Sequence, residues 1–275
     1  MLEPTVYLAR QPYSVAQMED AKIPPEAAAI TARLSAAQRQ ALGDQLLALY
    51  LFGSAATGSF EASVSDVDLL VVLSAEPTEH EIDTLATMHE KLIKDAPQWD
   101  DRVEVDYLSA AALANFRSSA WPAARISPGE PFHRIQIDLR WVVDWYQVLV
   151  SGVAIYGPPP QTFIPSISHG EFVKAVRDLL QALPDRLTDD VGPSGRAYAV
   201  LTACRALRAC RTGKDASKKE AAEWAAALLP PFRNLIMGAL AQRYEPRTGL
   251  ASNEAPLGET IQFVRAVSNL CADSR

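Results

Sequence analysis

Histidine and cysteine are scarce in this 275-residue chain, four and three residues in all. His80, His89, His133 and His169 are scattered, and Cys204, Cys210 and Cys271 form no Cys-x-x-Cys pair, so the spacings of a structural zinc site are missing. An odd cysteine count without a secretory leader predicts reduced thiols and a cytoplasmic protein. No apolar run approaches the roughly 20 residues of a membrane-spanning helix. Positive charge is also short: 26 Lys and Arg stand against 33 Asp and Glu, a net charge of -7. With no basic stripe, a nucleic-acid partner is disfavoured, whereas a cationic small molecule suits the balance. No repeat or low-complexity tract interrupts the chain. Its 48% hydrophobic content suffices for one large domain or two ordinary ones.

Local patterns then give an order of elements. Residues up to about 24 read as a surface extension. Pro24-Pro25-Glu26 opens a helix over 27–42, with Gly43 as its stop. Residues 45–52 (QLLALYLF) read as a buried strand running into a Gly53-Ser54 turn. A loop over 57–65 leads to a second strand, 67–73. Thr78, with Glu81 three residues on, caps a helix over 78–94. Residues 102–108 (RVEVDYL) alternate as a third strand. From Ser109 onward the composition reads as helical, and Trp141, Trp145 and Tyr146 share one face of a helix expected over 135–150. Gly157-Pro158-Pro159-Pro160 marks a domain boundary, giving domains 1–157 and 158–275. Helices are expected beyond it over 170–183, 196–212, 218–229, 232–244 and 259–269. The fold class is α+β: a small mixed sheet with helices, followed by an all-helical domain.

The chemistry concentrates where Gly53-Ser54-Ala55-Ala56-Thr57-Gly58 is followed by Ser65-Asp66-Val67-Asp68 at the head of an apolar strand. Residues i and i+2 of a strand point the same way, so Asp66 and Asp68 project side by side. Paired carboxylates repel unless a positive charge lies between them, and a divalent cation is the usual answer. Mg²⁺ takes oxygen ligands, commonly one or two carboxylates plus substrate phosphates. Gly53 lets backbone N–H groups approach a phosphate, Ser54 adds a hydroxyl donor, and Ser65 joins them as a nucleotide-binding candidate. A third carboxylate, as ligand or general base, comes from Glu104 or Asp106 on the next strand, and spacing alone does not choose between them. The pattern points to metal-assisted phosphoryl or nucleotidyl transfer.

The same pattern resembles the nucleotidyltransferase superfamily related to DNA polymerase β. More narrowly, the chain resembles the aminoglycoside 3″-adenylyltransferases, which inactivate streptomycin and spectinomycin. The likeness runs from about Leu49 to Tyr244. It is carried by LYLFGSAATG, SDVDLLVV, RVEV and GEPFHRIQID, then by AIYGP and AVLTACRALRACRTGKDASKKEAAEWAAALLP. The Asp-x-Asp signature assigns only the superfamily, and the TGK…AAxWA…LLP block narrows it. The resemblance implies a nucleotidyltransferase fold ahead of a helical bundle and transfer of AMP from ATP to a hydroxyl of a small cationic acceptor. It makes Asp66, Asp68 and Glu104 the Mg²⁺ ligands, with Glu104 as catalytic base, and assigns Arg205, Lys218 and Tyr244 to the nucleotide. A monomer is expected. A toxin–antitoxin type enzyme modifying protein or RNA is the competing reading, and the long helical domain opposes it.

Two departures concern the acceptor. Members that handle streptomycin carry a tryptophan after a Gly-Glu pair at the start of an interdomain helix, and an aspartate ahead of a C-terminal helix. Here Pro131 follows Gly129-Glu130, and Gly195 stands at the second position.

Overall fold

The computed structural model describes residues 22–244 and 255–272, so the expected N-terminal extension lies outside them. The chain divides into two compact units, Met1–Ser166 and Ile167–Arg275. The glycine-proline break read as a boundary falls inside the first unit. There Tyr50 donates its hydroxyl to the Pro158 carbonyl at 2.9 Å.

The first unit opens with helix α1 (Pro25–Leu42) and strand β1 (Leu46–Phe52), then a one-turn helix α2 (Ser54–Thr57) and strand β2 (Val67–Leu73). Helix α3 (Glu79–Asp95), strand β3 (Val103–Ser109) and a short α4 (Ala110–Ala114) follow. Thr78 caps α3 as expected, in a reciprocal box with Glu81. The remainder comprises β4 (Trp121–Ser127), β5 (Glu130–Ile137), α5 (Val142–Ser151) and β6 (Val153–Tyr156). Together the strands form one mixed sheet in the order β5-β4-β3-β2-β1-β6. Only β2 and β3 run parallel; the other neighbours are antiparallel.

Side-chain alternation sorts the sheet into two faces. Val67, Leu69, Val71, Val103, Val105, Tyr107, Ala124 and Ile126 join one core with α1 and α3, through Ile30, Leu34, Leu85 and Leu92. Their even-numbered neighbours on β2 and β3 point the other way. β1, β2 and β3 share one burial pattern, buried everywhere except at the second residue. Such runs are typical of strands covered on both faces. Their second residues are Leu47, Asp68 and Glu104, so the carboxylates sit where the burial lapses.

The helical reading after Ser109 is corrected here. Residues 121–127 and 130–137 form an antiparallel hairpin, closed by Ser127-Pro128-Gly129-Glu130 with Gly129 at φ +81°. Proline and then glycine at the central positions favour this turn. Alanine and arginine bias β4 toward helix locally, and β5 is a polar edge strand, so neither advertises itself. Pairing of β4 with β3 outweighs both propensities. The expected helix over 135–150 therefore starts only at Val142. It follows a turn in which Asp138 Oδ1 accepts from the Arg140 N–H at 2.9 Å. Gly129-Glu130 is a hairpin turn and not a helix start.

The second unit consists, among the described residues, of α6 (His169–Ala182), α7 (Pro193–Thr212), α8 (Lys218–Leu228), α9 (Arg233–Gln242) and α10 (Leu257–Ala272). The other four pack on α7. Its buried Ala199, Ala203, Cys204 and Ala206 are small enough to permit close approach. Ser168 with Glu171, and Ser217 with Glu220, close capping boxes on α6 and α8. Gly195, expected ahead of this helix, is inside the first turn of α7. A mixed sheet followed by an all-helical unit is the α+β architecture expected.

A buried polar knot ties the first unit together. Gln38 donates to the Tyr107 hydroxyl at 2.8 Å, and that hydroxyl lies 2.8 Å from His89 Nε2. Phe132 stacks on the imidazole at 5.5 Å. Burial pushes the His89 pKa down to about 4. The unfolded chain takes up this proton near pH 6.5 and the folded protein only near pH 4, so stability falls as pH drops through that window. A shift of this size corresponds to roughly 3–3.5 kcal/mol. Urea unfolding from pH 7 to pH 4 is expected to show that slope in the parent and a shallower one in His89→Gln; equal slopes would remove His89 from the account.

Candidate active site

Strand register builds the site. Phe52 pairs with Asp68, and Asp68 pairs with Glu104 on the neighbouring parallel strand. Phe52 leads directly into Gly53. A row therefore crosses three strands, with the turn at one end and two carboxylates side by side on one face. Asp66 lies just ahead of β2. Val67 between them is buried and both aspartates are half-buried, which puts the two on one side. The structure thus brings Gly53, Asp68 and Glu104 to one margin of the sheet, with Asp66 two residues ahead of Asp68 in the chain.

Gly53 has φ +67° and ψ −147°, a conformation reserved to glycine, and a methyl group there would overlap the Asp68 carboxylate, coming within 2.9 Å of its Cγ. The turn and the carboxylate are packed as one piece. Its carbonyl accepts from the N–H groups of Ala56 and Thr57 at 3.2 and 3.1 Å, fixing Ser54 at the start of α2. Ser65 is committed to its own loop: its hydroxyl accepts from the Glu61 N–H at 2.9 Å, and its carbonyl accepts from Arg102 at 2.6 Å. Arg102 is itself held over the Trp99 ring at 4.7 Å.

Asp106 sits one step deeper on β3, only 3% exposed. It pairs in register with Arg125 of β4. Arg125 Nη1 donates to both Asp106 oxygens at 2.9 and 3.2 Å, and its Nη2 donates to Glu104 Oε1 at 2.7 Å. Ser127 donates to Glu104 Oε2 at 3.1 Å. Trp141 closes the other side, its ring centroid 5.9 Å from the guanidinium. Burial pushes the Asp106 pKa up to about 7, against Arg125; the negative charges of Glu104 and Asp144 add to the rise. Burial would lower the Arg125 pKa, but Asp106, Glu104, Asp144 and Glu130 together raise it, so the guanidinium stays charged.

Sequence reading misses Arg125 and Ser127. They stand two residues apart, the strand signature that singles out Asp66 and Asp68, but only once 121–127 is recognised as a strand. Among the described residues, no group of three or more His, Cys, Asp or Glu is gathered closely enough to hold a metal ion unaided. Asp66 and Asp68 suit a hard cation that takes its remaining ligands from phosphate and water.

The second unit carries the other expected nucleotide contacts. Arg205, on α7, holds Asp215 through Nη2 at 2.9 and 3.0 Å. Lys218, at the start of α8, lies 5.4 Å over the ring of Tyr198. Tyr198 and Arg205 are seven residues apart and share a helix face. Tyr198 and Tyr244 are both exposed.

Comparisons with known proteins fit this layout. A family model described as "Nucleotidyltransferase domain" matches residues 36–128, and one described as "Aminoglycoside adenylyltransferase, C-terminal domain" matches residues 162–267. Both matched segments resemble those of aminoglycoside adenylyltransferases. A spectinomycin 9-adenylyltransferase of Staphylococcus aureus is 26% identical over 202 residues, covering 68% of this chain and 74% of that protein. An aminoglycoside (3″)(9) adenylyltransferase of Klebsiella pneumoniae is 27% identical over 235 residues, covering 80% and 86%. A crystal structure of spectinomycin adenyltransferase AAD(9) from Enterococcus faecialis, with ATP and spectinomycin, shares the fold. The TM-score is 0.72 at 19% identity, with 89% of this chain and 99% of that one covered. The protein is a nucleotidyltransferase. No helix among the described residues is long and apolar enough to cross a membrane.

Gly58 also has a positive φ, +77°, but a methyl group there meets nothing within 4 Å. Alanine at Gly58 is expected to cost about 1 kcal/mol of stability from backbone strain, and at Gly53 about 1–3 kcal/mol. Only Gly53→Ala also displaces Asp68, so it should lose at least about tenfold in nucleotidyl transfer, as expected for misplaced catalytic groups. Gly58→Ala should transfer at nearly the parent rate. Equal activities in the two variants would refute the packed-turn account.

Proposed function

We propose that this enzyme transfers AMP from ATP to a hydroxyl of an aminocyclitol antibiotic of the spectinomycin type, with Mg²⁺ bound. The in-register pairing of Asp68 with Glu104, with Gly53 packed on Asp68, carries this reading. The relatives named for spectinomycin support the acceptor class. The choice of spectinomycin over streptomycin rests on those names, because Pro131 and Gly195 do not have the helix-start settings expected of them.

Asp66 and Asp68 would hold the cation together with triphosphate oxygens. When bound, Mg²⁺ neutralises charge on the phosphates as pyrophosphate departs. The Gly53-Ser54 turn offers its backbone to the triphosphate, and Gly53 admits a close approach that a side chain would block. We assign Arg205, Lys218 and Tyr244 to the nucleotide, the two cations to its phosphates. Glu104 takes the proton from the acceptor hydroxyl as that oxygen attacks the α-phosphorus and pyrophosphate leaves. Its position beside Asp68 and its hydrogen bonds on the side away from β2 suit a base that stays off the ion. An acidic chain with no basic stripe suits a cationic acceptor.

Expression in a sensitive bacterium is expected to raise the spectinomycin tolerance markedly and the streptomycin tolerance little, with Asp68→Ala abolishing the effect. Purified Glu104→Gln should bind ATP with near-parental affinity yet lose at least about 100-fold in AMP transfer, the usual scale for a general base. Parental turnover in Glu104→Gln would refute the base assignment, and streptomycin protection alone would refute the acceptor.

A further inference from the structure

We propose that Arg125, anchored on Asp106 and assisted by Ser127, is the positioning residue that aims Glu104 at the acceptor hydroxyl. This inference rests on the adenylyl-transfer reading and deepens it.

Glu104 projects from the second residue of β3, at the margin of the sheet, with three side-chain torsions to fix. Left alone, it could swing toward Asp68 and be drawn onto the ion between the aspartates. Both of its oxygens are instead engaged from β4, Oε1 by Arg125 at 2.7 Å and Oε2 by Ser127 at 3.1 Å. The anchoring is equally specific. Arg125 Nη1 spans both oxygens of Asp106, whose place is set by strand register and burial. A guanidinium presents its donors in a rigid planar fork, so fixing one edge on Asp106 fixes where the other edge points. Lysine, whose three donors sit on one nitrogen, cannot reach both carboxylates in this fixed geometry.

Structure alone does not require this arrangement. A buried carboxylate such as Asp106 needs a partner, and Arg125 supplies one. Glu104 is 23% exposed against 3% for Asp106, so its need for a partner is the smaller, yet the arginine extends to it. Asp106, the second candidate for the third carboxylate, is turned to this arginine. The two acids of β3 thus divide the work: Glu104 meets the substrate, and Asp106 holds the group that holds Glu104.

The test measures AMP transfer to spectinomycin together with ATP affinity by calorimetry. In Arg125→Ala, kcat is expected to fall about 100-fold, the scale of a catalytic group misplaced by about an ångström, with ATP affinity and KM within about threefold of the parent. Added guanidinium ion should restore activity at least about tenfold in that variant, but not in Glu104→Gln, because it refills the vacated fork. If Arg125→Ala fails to fold, Arg125→Lys and Ser127→Ala decide, each expected to lose about three- to tenfold or more in kcat at unchanged ATP affinity. Parental kcat in the folded variants, or a lost activity that tracks lost ATP affinity, overturns the positioning role. If the parent enzyme transfers AMP to no acceptor, the functional reading fails first and this role with it. If the parent is active and the variants match it, only the role fails.

Discussion

Everything in the first unit depends on placing like charges where strand register forces them together. Asp68 and Glu104 are direct neighbours on adjacent parallel strands, an arrangement that costs stability unless something positive answers it. Asp66 adds to the deficit from the same side. The protein supplies one counter-charge permanently, Arg125, which serves Glu104 and Asp106 from the far side of β3. The proposed cation would lie on the side of Asp66 and Asp68. The same three strands are otherwise buried along their length, so the charges stand on a rigid scaffold that cannot relax by spreading apart.

Legibility from sequence followed the strength of local signals. The strand 67–73 was readable to the residue, because an unbroken apolar run began directly after an acidic pair. Helix α3 was readable from Thr78 and Glu81, whose reciprocal cap is a purely local device. The hairpin over 121–137 was not, since its stability comes from pairing with β3 rather than from its own composition. That single miss hid Arg125 and Ser127, and with them the means of telling Glu104 from Asp106. Spacing shows that two acids share a face, but only their depth in the sheet shows which one can meet a substrate. Nor could sequence reveal that Gly53 is held against Asp68, because that contact depends on the register between β1 and β2.

Pro131 and Gly195, whose expected helix-start settings are not found, fall outside this scaffold. Pro131 follows a hairpin turn at the edge of the sheet, and Gly195 is in the first turn of α7. Neither belongs to the row formed by Gly53, Asp68 and Glu104. Changes at a sheet edge and at a helix end leave undisturbed the register on which the chemistry depends. Proline is tolerated at the first, because an edge strand needs fewer backbone donors.

The cations assigned to the nucleotide are held differently from Arg125. Arg205 and Asp215 are each about a third exposed, and an ion pair so placed contributes at most about 1 kcal/mol. Lys218 rests on the exposed ring of Tyr198, a contact worth on the order of 0.5–1 kcal/mol. Phosphate oxygens offer charge-assisted hydrogen bonds that are roughly twice as strong as neutral ones. Exchanging such partners for a triphosphate therefore costs little, and the side chains are kept ordered before it arrives. Arg125 is buried between two carboxylates and has no comparable freedom. The contrast matches the roles proposed: the cations assigned to the triphosphate are held by exposed contacts, and the arginine proposed to position the base is held by two carboxylates.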